Sequence, residues 1–314
     1  MSTKPRTSED FKQIPFRLGC DPELFLYDLE RKMYVSAHPY IPGTKHKPHA
    51  LPCGGTVQLD GLACEIGTIP QITARDFLFH LKEVIDDVRA LLPKNIVLRA
   101  VPSAWFDKDY FDKEVPDYCK ELGCDPDFNA YNNGAANPRP NGMIVENGKV
   151  LRTGAGHIHV SWGDDMDVSS DVHRWNCITL TQSLDTVFVP LSKTWDKDET
   201  RMKMYGKPGS YRPKSYGLEY RTLSNAWLQD DTFVQTVFEA TRFVLETTFL
   251  AGKVPKYRTY TYDKYGQPKY KDWTQDIKLV QYQNEHIYNE NRTVSYYVGA
   301  ILNGIVQNRL IAKG

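Results

Sequence analysis

The sequence has no apolar run long enough to cross a bilayer, no surplus of charge of either sign and no closely paired cysteines. Without such a run a membrane-spanning helix is not expected. Basic and acidic side chains number 39 each, which argues against a protein that holds nucleic acid or an anionic membrane by bulk electrostatics. The six cysteines are scattered without a C-x-x-C pair, so neither a zinc knuckle nor a disulfide framework is expected. They read as reduced thiols of a cytoplasmic protein. A Walker-type Gly-x-x-x-x-Gly-Lys-Ser/Thr and a Gly-x-Ser-x-Gly elbow are both missing, and P-loop or nucleophile-elbow chemistry is unsupported. The start, MSTKPRTSED, is polar and has no apolar h-region. Residues 1–15 therefore read as a disordered tail rather than a secretory signal.

What remains is 314 residues, 41% of them hydrophobic, enough for a large core. At this length one large domain or two smaller ones both remain open. Strands are predicted over 16–27, 33–37, 57–66, 96–101, 157–162 and 218–223, with a hairpin turning at Asn147-Gly148. Thr73 caps an amphipathic helix that buries Phe77, Leu81, Val84 and Val88 and stops before Pro93. Further helices are predicted over 172–188, 231–249, 275–288 and 293–311. Residues 107–142 read as a long functional loop, and 193–216 as a polar, basic segment. Strands and helices come in blocks rather than in strict alternation, which favours α+β with an antiparallel sheet.

Several constellations carry chemical potential. Asp21 and Glu23 are two apart on a predicted strand and share a face, either as exposed acids or as a pair with a cation between them. Glu65 interrupts an apolar strand between Cys64 and Ile66 and needs a partner, a salt bridge or a metal. Asp60-Gly61 fits either a simple turn or an acid at the site. His157 and His159 follow the glycine-rich stretch Arg152-Thr-Gly-Ala-Gly156 and point to one face, where the glycines would let a ligand approach the backbone. Residues 201–214 hold Arg201, Lys203, Lys207, Arg212 and Lys214 without an acid, as a solvated loop or as a flexible cover for a polyphosphate. Glu219 and Arg221 share a strand face, as a surface ion pair or as a metal ligand beside an oxyanion clamp.

Taken in order, these motifs resemble the glutamine synthetase-like carboxylate–amine ligases. Gly154-Ala-Gly-His-Ile-His-Val-Ser161 is similar to glutamine synthetase's Gly-Ser-Gly-Met-His-x-His-x-Ser, with one residue fewer before the first histidine. Leu218-Glu-Tyr-Arg221 resembles its Ile-Glu-x-Arg strand, and Glu65-Ile-Gly-Thr68 resembles the second acidic strand of glutamate–cysteine ligase. The whole pattern, over residues 16–225, is closest to the phage-type amidoligases, carboxylate–amine ligase type 2.

The resemblance implies a curved antiparallel sheet forming a cleft, with helices, including those of 231–311, on its outer face. It also implies ATP and two or more Mg²⁺ ions in the cleft. Asp21, Glu23, Glu65, His157 and Glu219 would be metal ligands. His159, Ser161, Arg201, Lys203 and Lys214 would lie toward the nucleotide. Arg221 and Arg212 would hold the transferring phosphoryl group, and Asp60 is the candidate base for the incoming amine. The reaction would join a small-molecule or peptide carboxylate to an amine through an acyl phosphate, in the cytoplasm (of a host cell if phage-encoded). The competing reading is a metal-dependent hydrolase of an amide or phosphate ester, in which the histidines and acids activate water.

Overall fold

The computed structural model describes residues 16–121, 127–138 and 143–246. The chain divides into two units, 1–252 and 253–314, and every described residue falls in the first. The helices expected at 275–288 and 293–311 lie outside the described residues.

The secondary structure begins with β1 (Arg17–Cys20), β2 (Glu23–Asp28), β3 (Met33–Val35), β4 (His49–Ala50), β5 (Thr56–Asp60) and β6 (Ala63–Gly67). Helix α1 (Ala74–Leu91) is followed by β7 (Ile96–Arg99) and β8 (Ser103–Asp107), then by α2 (Lys108–Lys113) and α3 (Asp117–Lys120). Next come β9 (Phe128–Asn129), β10 (Ala135–Ala136), β11 (Val145–Glu146), β12 (Lys149–Thr153) and β13 (Ile158–Ser161). Helices α4 (Asp171–Ser192) and α5 (Thr200–Met204), strands β14 (Ser210–Lys214) and β15 (Gly217–Tyr220), and helix α6 (Asp231–Leu245) complete the described chain.

The fold is α+β, and all pairings between named strands are antiparallel. One sheet runs β1-β13-β15-β14-β9-β10, a second runs β3-β2-β6-β5-β4 with β7 also on β2, and β11-β12-β8 form a third. The first two are joined by the segment from β1 to β2. On one edge Asp21 and Glu23 donate their N–H groups to the carbonyls of His157 and Ala155. On the other, the carbonyls of Cys20 and Pro22 accept from Thr68 and Ile66. Pro22 can accept but not donate, so the strand predicted over 16–27 breaks there and the joined sheet curves.

Helix α1 is capped as the sequence implies: Thr73 Oγ1 accepts from the Asp76 N–H at 3.1 Å, and Phe77, Leu81, Val84 and Val88 are buried. Asn147 and Gly148 both have positive φ, the turn a two-residue hairpin demands. The predicted strand over 57–66 is a hairpin, β5 and β6, turning at Gly61 with φ 55°. Residues 107–142 are not one long loop, since α2, α3, β9 and β10 occupy parts of it. Nor is 201–214 a flexible cover, because it holds the end of α5 and all of β14. Helix α4 lies against β14 and β15, and α1 packs on α6. Among the described residues no helix is long and apolar enough to cross a membrane, and the five described cysteines form no disulfide.

Candidate active site

Strand register assembles the first half of the site. Gly19, His159, Glu219 and Arg212 stand directly opposite one another across β1, β13, β15 and β14. A second row places Ser161 opposite Gly217 and Gly217 opposite Lys214. His157 and Arg221 flank the central row on its other side, with Arg221 Nη1 3.4 Å from His157 Nδ1. Alternation keeps these polar residues on one face. The intervening Ile158, Val160, Leu218, Tyr220 and Tyr211 are buried. On their side Tyr220 meets Phe188 of α4.

Glu219 is fully buried and carries three cations. Its Oε2 lies 3.1 Å from Arg212 Nη1 and 2.9 Å from Lys214 Nζ, while Oε1 pairs with Arg221 Nη1. Asp21 Oδ2 is 2.9 Å from His159 Nε2, and its Oδ1 is 3.5 Å from His157 Nδ1. Burial pushes the Asp21 carboxyl up, but the two histidines more than reverse this and hold it below the usual carboxylate range. Burial, with the Arg221 charge beside it, lowers His157 to about 3 and keeps the ring neutral. One ligand atom each from Asp21, His159 and Glu219 lies within 4.8 Å of the others.

The second half is an acidic row. Glu65 stands directly opposite Glu23 on one side and Gln58 on the other. Like charges directly opposite are destabilising. Burial, reinforced by Asp60, raises Glu23 to about 8. Glu65 is raised well above its ordinary value by burial and by the charges of Asp21, Asp60 and Glu23. Asp60 ends β5, and burial raises its carboxyl despite opposing pulls from Lys45 and Arg221. Glu23 Oε2 accepts from the Ala155 N–H at 2.9 Å, so the row abuts the chain leading into β13.

These donors fit a divalent cation. The acidic row offers hard oxygen ligands whose repulsion an ion would offset. Asp21 Oδ1 and His159 Nε2 are buried atoms without a well-aligned hydrogen bond. His159 Nδ1 is hydrogen-bonded to the Tyr216 hydroxyl, which leaves Nε2 as the ligand atom. His157 presents Nε2 to the Tyr205 hydroxyl at 3.2 Å instead.

Two sequence expectations need correcting. Arg201 is only 2% exposed, and its guanidinium donates to three backbone carbonyls: Nε to Gly154, Nη1 to Thr222 and Nη2 to Leu223. It ties α5 to the segments flanking β13 and β15 and does not reach toward a nucleotide. Gly154 and Gly156 do not open the backbone to a ligand. A Cβ on Gly154 would lie 2.4 Å from Asn225 Nδ2, and one on Gly156 would lie 2.3 Å from the Ser224 carbonyl oxygen, so both permit close packing against residues 224–225. The side chain of Lys203 lies outside the described residues.

Sequence reasoning missed four residues. Tyr216 and Tyr205 orient the two histidines, and Asp127 Oδ2 sits 3.7 Å from Arg221 Nε. Asp185 of α4 is buried and accepts from the Gly209 N–H (2.6 Å), Tyr220 hydroxyl (2.6 Å) and Thr222 hydroxyl (3.2 Å). Burial raises it to about 7. The only available signal was position: both tyrosines lie in or beside the basic segment, whereas Asp127 and Asp185 carry none.

The family model described as Phage phiEco32-like COOH.NH2 ligase-type 2 matches residues 151–284. That stretch holds β13 to α6 of the described fold, so the likeness read from His157-Ile-His159 and Glu219-Tyr-Arg221 is matched where those motifs lie. No curated protein matches the chain.

Proposed function

We propose, from the COOH·NH2 ligase family matched by residues 151–284 and from the two rows of the site, that this protein is an ATP- and Mg²⁺-dependent ligase. It would join a carboxylate to an amine through an acyl phosphate on a glutamine synthetase-like catalytic fold. Residues 16–314 would act as one catalytic domain in the cytoplasm, on small-molecule or peptide substrates. The observation that carries this reading is the adjacency of buried acids raised above their ordinary values (Glu23, Glu65, Asp60) and a basic group (Arg212, Lys214, Arg221) around Asp21, His159 and Glu219. An amide hydrolase needs the metal and its water but has no use for three cations gathered at one point, and a phosphate-ester hydrolase is set apart by the ATP requirement tested below.

A carboxylate is a poor electrophile, and bringing it to a triphosphate sets two anions against each other. Mg²⁺, when bound, neutralises phosphate charge and withdraws electron density from the reacting phosphorus. Glu23, Glu65 and Asp21 would hold such ions through hard oxygens, with His159 and Glu219 completing the ligand set. Arg221 would face the transferring phosphoryl group as a fixed dipole-and-charge partner, positioned by Asp127 and by the Tyr205 ring, whose centroid lies 5.4 Å away. Such pre-set charge is worth most where water is excluded. Arg212 and Lys214 would grip the remaining phosphate oxygens, and Ser161 closes that end of the row. His157 is neutral and buried, so it would orient Asp21 and Arg221 rather than carry charge. Asp60, held above its ordinary value, suits a base that takes a proton from the amine and then releases it.

The test is single-turnover release of labelled phosphate from γ-labelled ATP, with Mg²⁺ and pooled carboxylate and amine substrates, on wild type and Asp60→Asn. Turnover requiring both pools supports the ligase. ATP-independent release of an amine or of phosphate supports the hydrolase instead. Full turnover by Asp60→Asn removes Asp60 from the mechanism and leaves the rest standing.

A further inference from the structure

Glu23 is tied to one neighbouring segment by both its main chain and its side chain. Its N–H donates to the Ala155 carbonyl at 2.8 Å, and its Oε2 accepts from the Ala155 N–H at 2.9 Å. Its own carbonyl accepts at 2.6 Å from Nδ2 of Asn225, 202 residues further along the chain. Asn225 is 0% exposed and opens the short helical turn over Asn225–Gln229, just beyond β15. Its backbone N–H donates to the Gly154 carbonyl at 3.4 Å, and Ser224 before it is bridged to Ala155. Glu23, residues 154–155 and Asn225 thus close a triangle, and Asn225 touches both other corners.

Two features separate Asn225 from a residue that only fills space. Its Oδ1 is buried without a hydrogen-bond partner, an unfavourable state that an apolar side chain would avoid. The amide is therefore kept for its donor, and that donor is directed at Glu23. Ser224 anchors the same junction, but its hydroxyl lies 2.6 Å from Asp196 Oδ2 and serves that carboxylate instead. We infer that Asn225 is a positioning residue for Glu23. By holding the Glu23 carbonyl against residues 154–155 it fixes where the carboxylate stands in the acidic row, and so how tightly the row binds a divalent cation. The inference rests on the ligase reading, in which Glu23 is a metal ligand, and adds a residue that acts through it.

The experiment is Mn²⁺ binding to the full chain by electron paramagnetic resonance, with and without a non-hydrolysable ATP analogue, compared under the condition in which wild type binds. It is run on wild type, Asn225→Ala, Glu23→Gln, the double variant and Ser224→Ala. Asn225→Ala is expected to bind Mn²⁺ roughly tenfold more weakly than wild type, as loss of an outer partner of a ligand does. In the Glu23→Gln background the same change is expected to add little, because the ligand through which it acts is gone. Ser224→Ala loosens the same junction without removing the donor to Glu23. It is expected to lower the melting temperature and to leave Mn²⁺ affinity of the folded protein near wild type. Asn225→Ser, a smaller truncation that also draws the polar atom back from Glu23, replaces Asn225→Ala should the latter not fold.

A folded Asn225 variant that binds Mn²⁺ as tightly as wild type overturns the inference and leaves the ligase reading intact. An equal loss in the wild-type and Glu23→Gln backgrounds, or a Glu23→Gln variant that binds as wild type does, removes Glu23 as the route and also overturns it. An equal loss in Ser224→Ala overturns it too, since Asn225 is then only part of the scaffold. Failure of wild type to bind Mn²⁺ even with the ATP analogue overturns both the inference and the reading beneath it.

Discussion

The two rows of the site solve opposite electrostatic problems. On β2, β5 and β6 the carboxylates of Glu23, Glu65 and Asp60 face one another, and all three are held above their ordinary values, chiefly by burial. On β13, β14 and β15 the carboxylate of Glu219 is surrounded by Arg212, Lys214 and Arg221. The first row is frustrated without a cation, and the second is complete without one. A site built from both halves would suit a cation at the acidic row and an anion at the basic group. That is the demand of a reaction that brings a polyphosphate to a carboxylate.

The comparison is broken most severely at its centre. Glu219→Gln leaves buried cations without their partner and is expected to lose about 3–5 kcal/mol of stability in denaturant titration. Arg201→Lys comes next: the fork is lost, and the backbone carbonyls of residues 154, 222 and 223 each lose a charge-assisted donor, for about 2–3 kcal/mol. Nucleotide affinity of the folded Arg201→Lys fraction should stay near wild type. A large affinity loss with stability retained would return Arg201 to the phosphate site. Tyr216→Phe releases His159 Nδ1 and should weaken Mn²⁺ binding about 10-fold to 100-fold with little change in stability. An unchanged affinity would mean that His159 is not oriented through Tyr216.

The smallest effect has the opposite sign. Glu65→Gln removes a carboxyl directly opposite Glu23, and the ligand-free protein should gain about 1 kcal/mol at alkaline pH, where the pair would carry like charges. The pH dependence follows the same logic. Glu23 and Asp185 titrate at about 8 and about 7 in the folded protein, above their ordinary 4.5 and 3.8. Raised folded values mean that the contribution to stability is full below the ordinary range and declines as pH rises through the folded ones. Between pH 6.5, above which the lowered His157 adds no further slope, and pH 8, ligand-free stability should therefore fall, and Glu23→Gln and Asp185→Asn should each flatten part of that slope. A stability that rises over this window in wild type would contradict both assignments.

Much of this arrangement was legible because strand alternation is strict. His157 and His159, like Glu219 and Arg221, had to share a face once their strands were recognised, and the Thr73 cap and the Asn147-Gly148 turn are purely local signals. The pairing of Glu23 with Glu65 was not legible, since register between β2 and β6 depends on the break at Pro22 and on which strands become neighbours. Arg201 misled because a basic segment looks the same whether its arginines face solvent or bind carbonyls. Gly154 and Gly156 misled because a glycine marks a close approach without saying what approaches. Tyr205, Tyr216, Asp127 and Asp185 act through contacts far apart in sequence, which no spacing reveals.

The central claim is that the acidic row is completed by a cation brought with a triphosphate. Thermal unfolding of wild type and Glu65→Gln, with ATP and Mg²⁺ each alone and together, tests it most directly, because ligands of the native state raise the midpoint by mass action. The account predicts that at alkaline pH Glu65→Gln melts above wild type without ligands and gains little from them, while wild type rises clearly only when both are present. A wild-type midpoint that does not move at saturating ATP and Mg²⁺, or a Glu65→Gln midpoint that rises as far as wild type, would contradict it.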